Sequence, residues 1–123
     1  ADMANIRARQ VEFAKAVSAQ DALSMIATNR EFHAEIARAG RNPYYESLCL
    51  RLLDEGRRLL RMYYQSFDDQ LPSEYVQEHE DLIAAIEARD IGLADSLAAT
   101  HADQIVRQIQ ALISRDRRQQ IDL

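Results

Sequence analysis

Apolar residues recur every three or four positions along most of the chain, and this spacing is the strongest constraint on the fold. Met3, Ile6, Phe13 and Val17 form one such stripe, which only Gln10 interrupts. A period near 3.6 predicts amphipathic helices, because each repeat returns the side chain to the same face. Three glycines and two prolines in 123 residues leave few sites for the tight turns of a β-rich fold. The sequence therefore predicts an all-α protein.

Breaks between the stripes divide the chain into five predicted helices. The first runs from about Asp2 to Ser18, the second from about Asp21 to Gly40, the third from Pro43 to about Phe67, the fourth follows a loop at 68–73, and Asp90 caps the fifth. Asp and Asn are favoured N-caps, Pro is favoured at the first helical position, and Gly is typical of a C-terminus. Short connections and one apolar face per helix predict an antiparallel helical bundle.

The third predicted helix contains two features that bear on ligand binding. Its apolar stripe is formed by Tyr45, Leu48, Leu52, Leu59 and Tyr63. Gly56 lies on the same side, and a glycine inside a helix lowers the stability of the helix by roughly 1 kcal/mol relative to an alanine. A close packing contact or a ligand would account for this glycine, and a tolerated defect is the alternative.

Composition and charge exclude several classes of protein. The balance of 15 basic and 20 acidic residues gives a net charge of −5, whereas a free-standing nucleic-acid binder usually has a basic surface. The single Cys49 excludes an internal disulfide framework and a Cys-rich zinc module. No apolar run approaches the roughly 20 residues of a membrane-spanning helix. We expect a cytoplasmic protein without a membrane partner.

All three histidines of the chain lie on apolar stripes of different predicted helices. His33 is next to Phe32, His79 follows Val76 at helical spacing, and His101 follows Leu97 in the same way. Burying three imidazoles requires partners for six ring nitrogens. One divalent metal would satisfy three of them, and imidazole suits Zn, Ni, Cu or Fe. Three structural histidines, each with its own hydrogen-bond partner, are the alternative.

Asn29 lies one helical turn before His33 and therefore on the same face. Its amide oxygen is a candidate fourth ligand. The alternative is a polar residue on the helix surface, since spacing alone does not establish that the stripes converge.

The residues around these histidines resemble a known family. Asn29-Arg30-Glu31-Phe32-His33 followed by Asn42-Pro43 is similar to the "D/N-x-x-F-H … N-P" signature of the FCD domain, the C-terminal effector-binding domain of FadR-type regulators in the GntR superfamily. Glu78-His79 through Ile86, then Asp90, Ala94 and His101, resembles the later "E-H-x-x-I-x-x-A-I-x-x-x-D-x-x-x-A … H" pattern. Each motif alone is weak, but together and in this order they are specific.

The resemblance implies a helical bundle whose core holds a divalent metal, zinc or another transition metal such as nickel. Carried over residue by residue, the ligands are Asn29, His33, His79 and His101. The resemblance also implies a small carboxylate-type effector at the metal, a homodimer, and DNA binding through a separate winged helix-turn-helix domain. Residues 1–123 would then be an FCD-like domain that lacks this DNA-binding domain and the family's first helix, which carries an Arg and a Glu.

The first ligand position departs from the family pattern, in which Asp is the usual residue. With the neutral Asn29 and three neutral imidazoles, the metal keeps its full double charge. We therefore expect weaker metal binding and a stronger dependence on an anionic ligand.

Two other functional classes compete with the regulatory domain. A metal-dependent enzyme would need a general base near the metal. Glu78 and Glu80 flank His79, but each lies roughly 100° from it around the helix, so both are expected to point aside. Because the sequence has no HExxH run either, we interpret the chain as a sensor rather than an enzyme. A helical interaction module with structural histidines is the other class.

Two residues of the third predicted helix are candidates for holding an effector. Arg57 lies on a seam with Leu53 and Leu60, and its guanidinium is suited to binding a carboxylate through two hydrogen bonds. Tyr63 lies on the inward stripe and has a hydroxyl to donate. The alternatives are a surface arginine whose stem packs on leucines, and a core tyrosine.

Overall fold

The backbone of residues 1–121, and the side chains of these residues except 116 and 118–121, are described by a computed structural model. Residues 1–121 form six α-helices and contain no strand, as the sequence predicted for an all-α bundle. The helices are α1 (Asp2–Ser18), α2 (Ala22–Ala39), α3 (Pro43–Glu55), α4 (Arg57–Gln65), α5 (Ser73–Glu87) and α6 (Ile91–Ile121). None of the described helices has a stretch long and apolar enough to span a membrane.

Three helix starts are capped as the sequence predicted. The Asp21 carboxylate accepts a hydrogen bond from the backbone N–H of Ser24 at the start of α2. The Asn42 side chain accepts from two backbone N–H groups at the start of α3, and the Asp90 carboxylate accepts from one at the start of α6. These bonds satisfy donors that the first helical turn leaves without a partner.

The single long helix predicted from Pro43 to about Phe67 is wrong, because Gly56 divides it into α3 and α4. The backbone bonds from Gly56 N–H to Leu52 and from Leu60 N–H to Gly56 persist across this break. A Cβ at position 56 would lie 3.1 Å from the Leu52 carbonyl oxygen, which is tight for a side chain. The glycine therefore allows a close backbone approach at this joint.

The buried core is formed by two clusters of side chains from α1, α2, α4, α5 and α6. Its larger cluster is built around Phe13, Met25, Tyr63, Tyr64 and Ile109. A smaller cluster joins Ile6, Phe32 and Ile83 from α1, α2 and α5. α1 packs against α2 and α5, α2 packs against α3 and α4, and α6 packs against α5 and α4.

The apolar stripe of α3 does not pack into this core, in contrast to the sequence prediction. No residue of α3 is buried, and Leu48 and Leu52 are 52% and 58% exposed. The reason is that α3 packs against α2 and α4 but not against α6. Its leucines instead face a gap between α3 and α6. Only Tyr63, at the α4 end of the predicted stripe, is fully buried.

Candidate metal centre

The three histidines meet at one point inside the bundle, each contributed by a different helix. His33 comes from α2, His79 from α5 and His101 from α6. One ring nitrogen from each lies within 4.8 Å of the corresponding nitrogens of the other two. The ring centroids are separated by 5.1 to 5.7 Å. The helical stripes that the sequence indicated therefore converge, and the three imidazoles could hold a divalent metal.

His79 is the most deeply buried member of the cluster, and α1 and α2 fix its ring. It is 1% exposed and stacks on Phe32 with a centroid separation of 4.1 Å, while Phe13 lies 4.7 Å away. Its Nδ1 lies 2.8 Å from Oε1 of Gln10. The Gln10 amide is oriented by its own Nε2, which donates to the Val76 carbonyl. Because the amide oxygen only accepts, Nδ1 carries the proton and Nε2 keeps its lone pair.

His101 is oriented in the same way by a carboxylate. Its Nδ1 lies 2.6 Å from Oε2 of Glu78, so Nδ1 donates and Nε2 is left as the free nitrogen. That Nε2 is buried and has no hydrogen-bond partner. An unpartnered buried nitrogen is costly, and a bound metal at this nitrogen would remove that cost. Glu78 points away from its neighbour His79, as its position on the helix predicted, but it reaches across to His101 of α6, which the sequence did not predict.

Burial keeps His33 and His79 uncharged at neutral pH. Desolvation, reinforced by the neighbouring imidazoles, lowers the pKa of His33 to about 4 and the pKa of His79 to about 2. Neutral imidazole is the form that binds a metal, so these side chains need not lose a proton to act as ligands. Three imidazole nitrogen donors, two of them on rings held by Gln10 and Glu78, suit Zn or Ni, and the donor set therefore fits the predicted metal.

Asn29 lies beside the cluster, as its spacing from His33 predicted. It is 6% exposed and, together with His33 and His101, lines a cavity of about 670 Å³ that extends between α3 and α6. The structure thus places all four sequence-predicted ligand residues in one region. Their role as metal ligands stays a prediction.

The two predicted effector-binding residues lie outside this cavity. Arg57 borders a separate groove next to α2, with Ile26 and Leu60 among its neighbours. Tyr63 is 3% exposed and packs in the larger core cluster, where its hydroxyl accepts a hydrogen bond from Gln104. Neither side chain is brought next to the histidines, and their role in effector binding stays a prediction.

Gln10 and Glu78 are the functional residues that the sequence prediction missed. The signal for Gln10 was present, because it is the single polar residue on the apolar stripe of α1. A polar residue at a core position needs a partner, and the partner is His79. Glu78 gave no such signal, because helical spacing relates residues on one helix and this contact joins α5 to α6.

Comparison with known proteins identifies the family of this fold and site. The FCD domain model matches residues 1–104. FCD domains are the regulatory, effector-binding domains of GntR-type transcription regulators. No curated protein and no solved structure matches the chain. The match covers all three histidines and the first five helices, and the chain therefore belongs to the FCD domain family.

Proposed function

We propose that this chain is a ligand-sensing domain in which His33, His79 and His101, with Asn29, hold a divalent metal that anchors a small organic acid. Zinc is the metal we favour, with nickel as the next choice, because both accept imidazole nitrogens. The bound metal would supply a concentrated positive charge that attracts a carboxylate. DNA binding would reside in another domain of a homodimeric transcription regulator.

One observation carries this proposal more than any other: one nitrogen of each imidazole lies close to one nitrogen of each of the other two, and two of the three rings are held by hydrogen bonds. Gln10 and Glu78 occupy the Nδ1 atoms of His79 and His101. Such partners are typical of metal-binding histidines, because they fix the tautomer and aim the other nitrogen. If the histidines had purely structural roles, the buried Nε2 of His101 would be expected to have a hydrogen-bond partner. Among the described residues it has none.

The charge of the ligand set favours an anionic effector. Three neutral imidazoles and the Asn29 amide leave the double charge of the metal uncompensated, apart from the hydrogen-bonded Glu78 behind His101. A carboxylate bound at the metal would balance this charge. The effector would therefore contribute to metal retention as well as being retained by the metal.

The nearby carboxylates favour sensing over catalysis. Glu78 contacts the Nδ1 face of His101, which is the face opposite the free nitrogen. Glu35 forms ion pairs with Arg38 and Arg9 and is held away from the cluster. A general base must reach the proton that it removes, and neither carboxylate is placed for this.

The metal content of the chain tests the proposal. Untagged protein prepared without chelator is compared with the His33→Ala, His79→Ala and His101→Ala variants by elemental analysis after zinc addition. We expect about one zinc per parent chain and a loss in each variant. Gln108→Leu is the control, because the hydrogen bond of Gln108 goes to Ser66, just after α4, and not to a histidine.

Circular dichroism of each zinc-free variant separates loss of the site from loss of the fold. Folded variants that no longer bind zinc place the three imidazoles in one site. Zinc retained by any one of the histidine variants at parental affinity would remove that residue from the proposed site. A parent chain that takes up neither zinc nor nickel would overturn the proposal.

A further inference from the structure

A mostly apolar cavity lies beside the histidines. It lies between α3 and α6, which do not pack against each other. Its walls are mostly aliphatic side chains from both helices and from α4, including Leu48, Leu52, Leu59, Ile105 and Val106. Leu48, Leu52 and Val106 are each about half exposed, which is unfavourable for large apolar side chains on a protein surface.

Three polar residues line the cavity at its histidine end, and Tyr45 and Cys49 of α3 are the other lining residues with polar atoms. Asn29 and His33 come from α2, and His101 comes from α6. Among the described residues that line the cavity there is no Asp, Glu, Lys or Arg. A second anionic group on a ligand would therefore lie among leucines without a cation, and burying an unpaired charge is costly.

We infer that the effector is a monocarboxylate with one extended apolar body. Its carboxylate would lie at the histidine end, and its hydrocarbon part would run along the groove between α3 and α6. This inference rests on the proposed function, since the metal would supply the positive charge that holds the carboxylate. It excludes dicarboxylates, whose second charge would lie among the aliphatic walls without a cation.

The volume and shape of the cavity agree with this class of ligand. A volume of about 670 Å³ lies within the range of small-molecule sites, which bury most of their ligand against apolar walls and fix it by a few polar groups. An acid as small as acetate would leave the aliphatic walls wet. Each methylene that the groove removes from water should tighten binding by up to about fourfold.

A series of acids of matched chemistry tests the inference on the zinc-loaded 123-residue chain. The probes are acetate, hexanoate, octanoate and decanoate, with sebacate as the dicarboxylate of the same length as decanoate. Binding is measured by calorimetry. We expect the affinity to rise along the monocarboxylate series and sebacate to bind at least tenfold more weakly than decanoate, because its second carboxylate has no partner.

A substitution in the groove reverses the expected preference. Leu48→Arg places a cation on the apolar wall at a position that is already 52% exposed, so the fold should tolerate it. Decanoate should then bind more weakly and sebacate more tightly, since the guanidinium holds the second carboxylate. Leu93→Arg is the matched control, because Leu93 is 48% exposed on α6 and does not line the cavity.

The outcomes separate this inference from the proposed function on which it rests. Zinc binding together with equal affinities for acetate, decanoate and sebacate would overturn the apolar-body inference and leave the metal site standing. Absence of zinc binding would overturn both. Zinc binding with no decanoate binding, and dimerisation that Leu48→Arg abolishes while Leu93→Arg does not, would show that a second copy of the chain covers the groove, and the inference would be wrong.

Discussion

Replacing Gln10 by leucine isolates the contribution of one hydrogen bond to the proposed metal site. Gln10 is 2% exposed and joins α1 to α5 through two bonds, one to Nδ1 of His79 and one to the carbonyl of Val76. Leucine has a similar length and volume, so Gln10→Leu preserves most of the packing while removing both bonds. The change leaves every proposed metal ligand in place.

The structure predicts two separate effects of Gln10→Leu. A buried donor that loses its partner costs about 1–3 kcal/mol, and we expect the free energy of unfolding of the zinc-free protein to fall by this amount. His79 can avoid part of this cost by moving its proton from Nδ1 to Nε2, but that nitrogen then has no lone pair for zinc. Loss of such a partner typically weakens metal binding about 10- to 100-fold, which is about 1.4–2.7 kcal/mol of binding free energy.

Two measurements resolve these effects. Urea denaturation in chelator gives the free energy of unfolding of the zinc-free protein, and competition against a chromophoric chelator gives the zinc dissociation constant. Gln108→Leu is the matched control, since it removes a hydrogen bond between α6 and Ser66, just after α4, that does not involve a histidine. We expect Gln108→Leu to lower stability and to leave the zinc dissociation constant unchanged.

The reasoning would be refuted by a Gln10→Leu protein that is less stable than the parent but binds zinc equally well. In that case the bond stabilises the fold without orienting His79. An equal loss of zinc affinity in Gln10→Leu and Gln108→Leu would also refute it, because the loss would then follow from general loosening of the bundle.

Three further predictions concern the other residues of the centre. Asn29→Asp should tighten zinc binding, because a carboxylate reduces the net charge of the site, and calorimetry that finds no gain would contradict this argument. Glu78→Gln should weaken zinc binding by up to about tenfold, because the amide orients His101 without a negative charge, and Glu78→Ala should weaken it further; equal competition curves would disprove a role for Glu78. The metal-free protein should lose stability below pH 6.5, because His33 and His79 become protonated in the unfolded chain but stay neutral in the folded protein. Their pKa values in the folded protein are about 4 and about 2. The expected loss is roughly 2 kcal/mol for each histidine at about pH 5, and urea denaturation that is flat from neutral pH to this value would rule it out.

The sequence predicted the helices well where local signals act. Asp21, Asn42 and Asp90 each cap a helix, and a cap depends only on residues within one turn. The break at Gly56 was missed because the backbone bonds on both sides of it continue, so the apolar spacing is almost undisturbed. A glycine inside a stripe is compatible with both a continuous helix and a joint.

The sequence predicted the residues of the candidate site but not the contacts and hydrogen bonds between them. His33, His79 and His101 were identified because a polar ring on an apolar stripe conflicts with its surroundings. Their convergence depends on how α2, α5 and α6 pack, which periodicity does not encode. The bond between Glu78 and His101 crosses from one helix to another, so no spacing rule on α5 alone predicts it.

The exposed stripe of α3 and the position of His79 together indicate how a ligand would act on the bundle. His79 is held by contacts with α1 and α2 and does not line the groove, whereas His33 and His101 do. A ligand in the groove would contact both α3 and α6, which are not closely packed against each other along their described residues. A ligand shifts a conformational equilibrium only through different affinities for the two states. The contacts that it makes with α3 and α6 depend directly on the separation of these helices. We therefore expect effector binding to change the distance between α3 and α6 rather than the packing of α1 on α2, and spin labels on α3 and α6 that report equal distances with and without effector would contradict this.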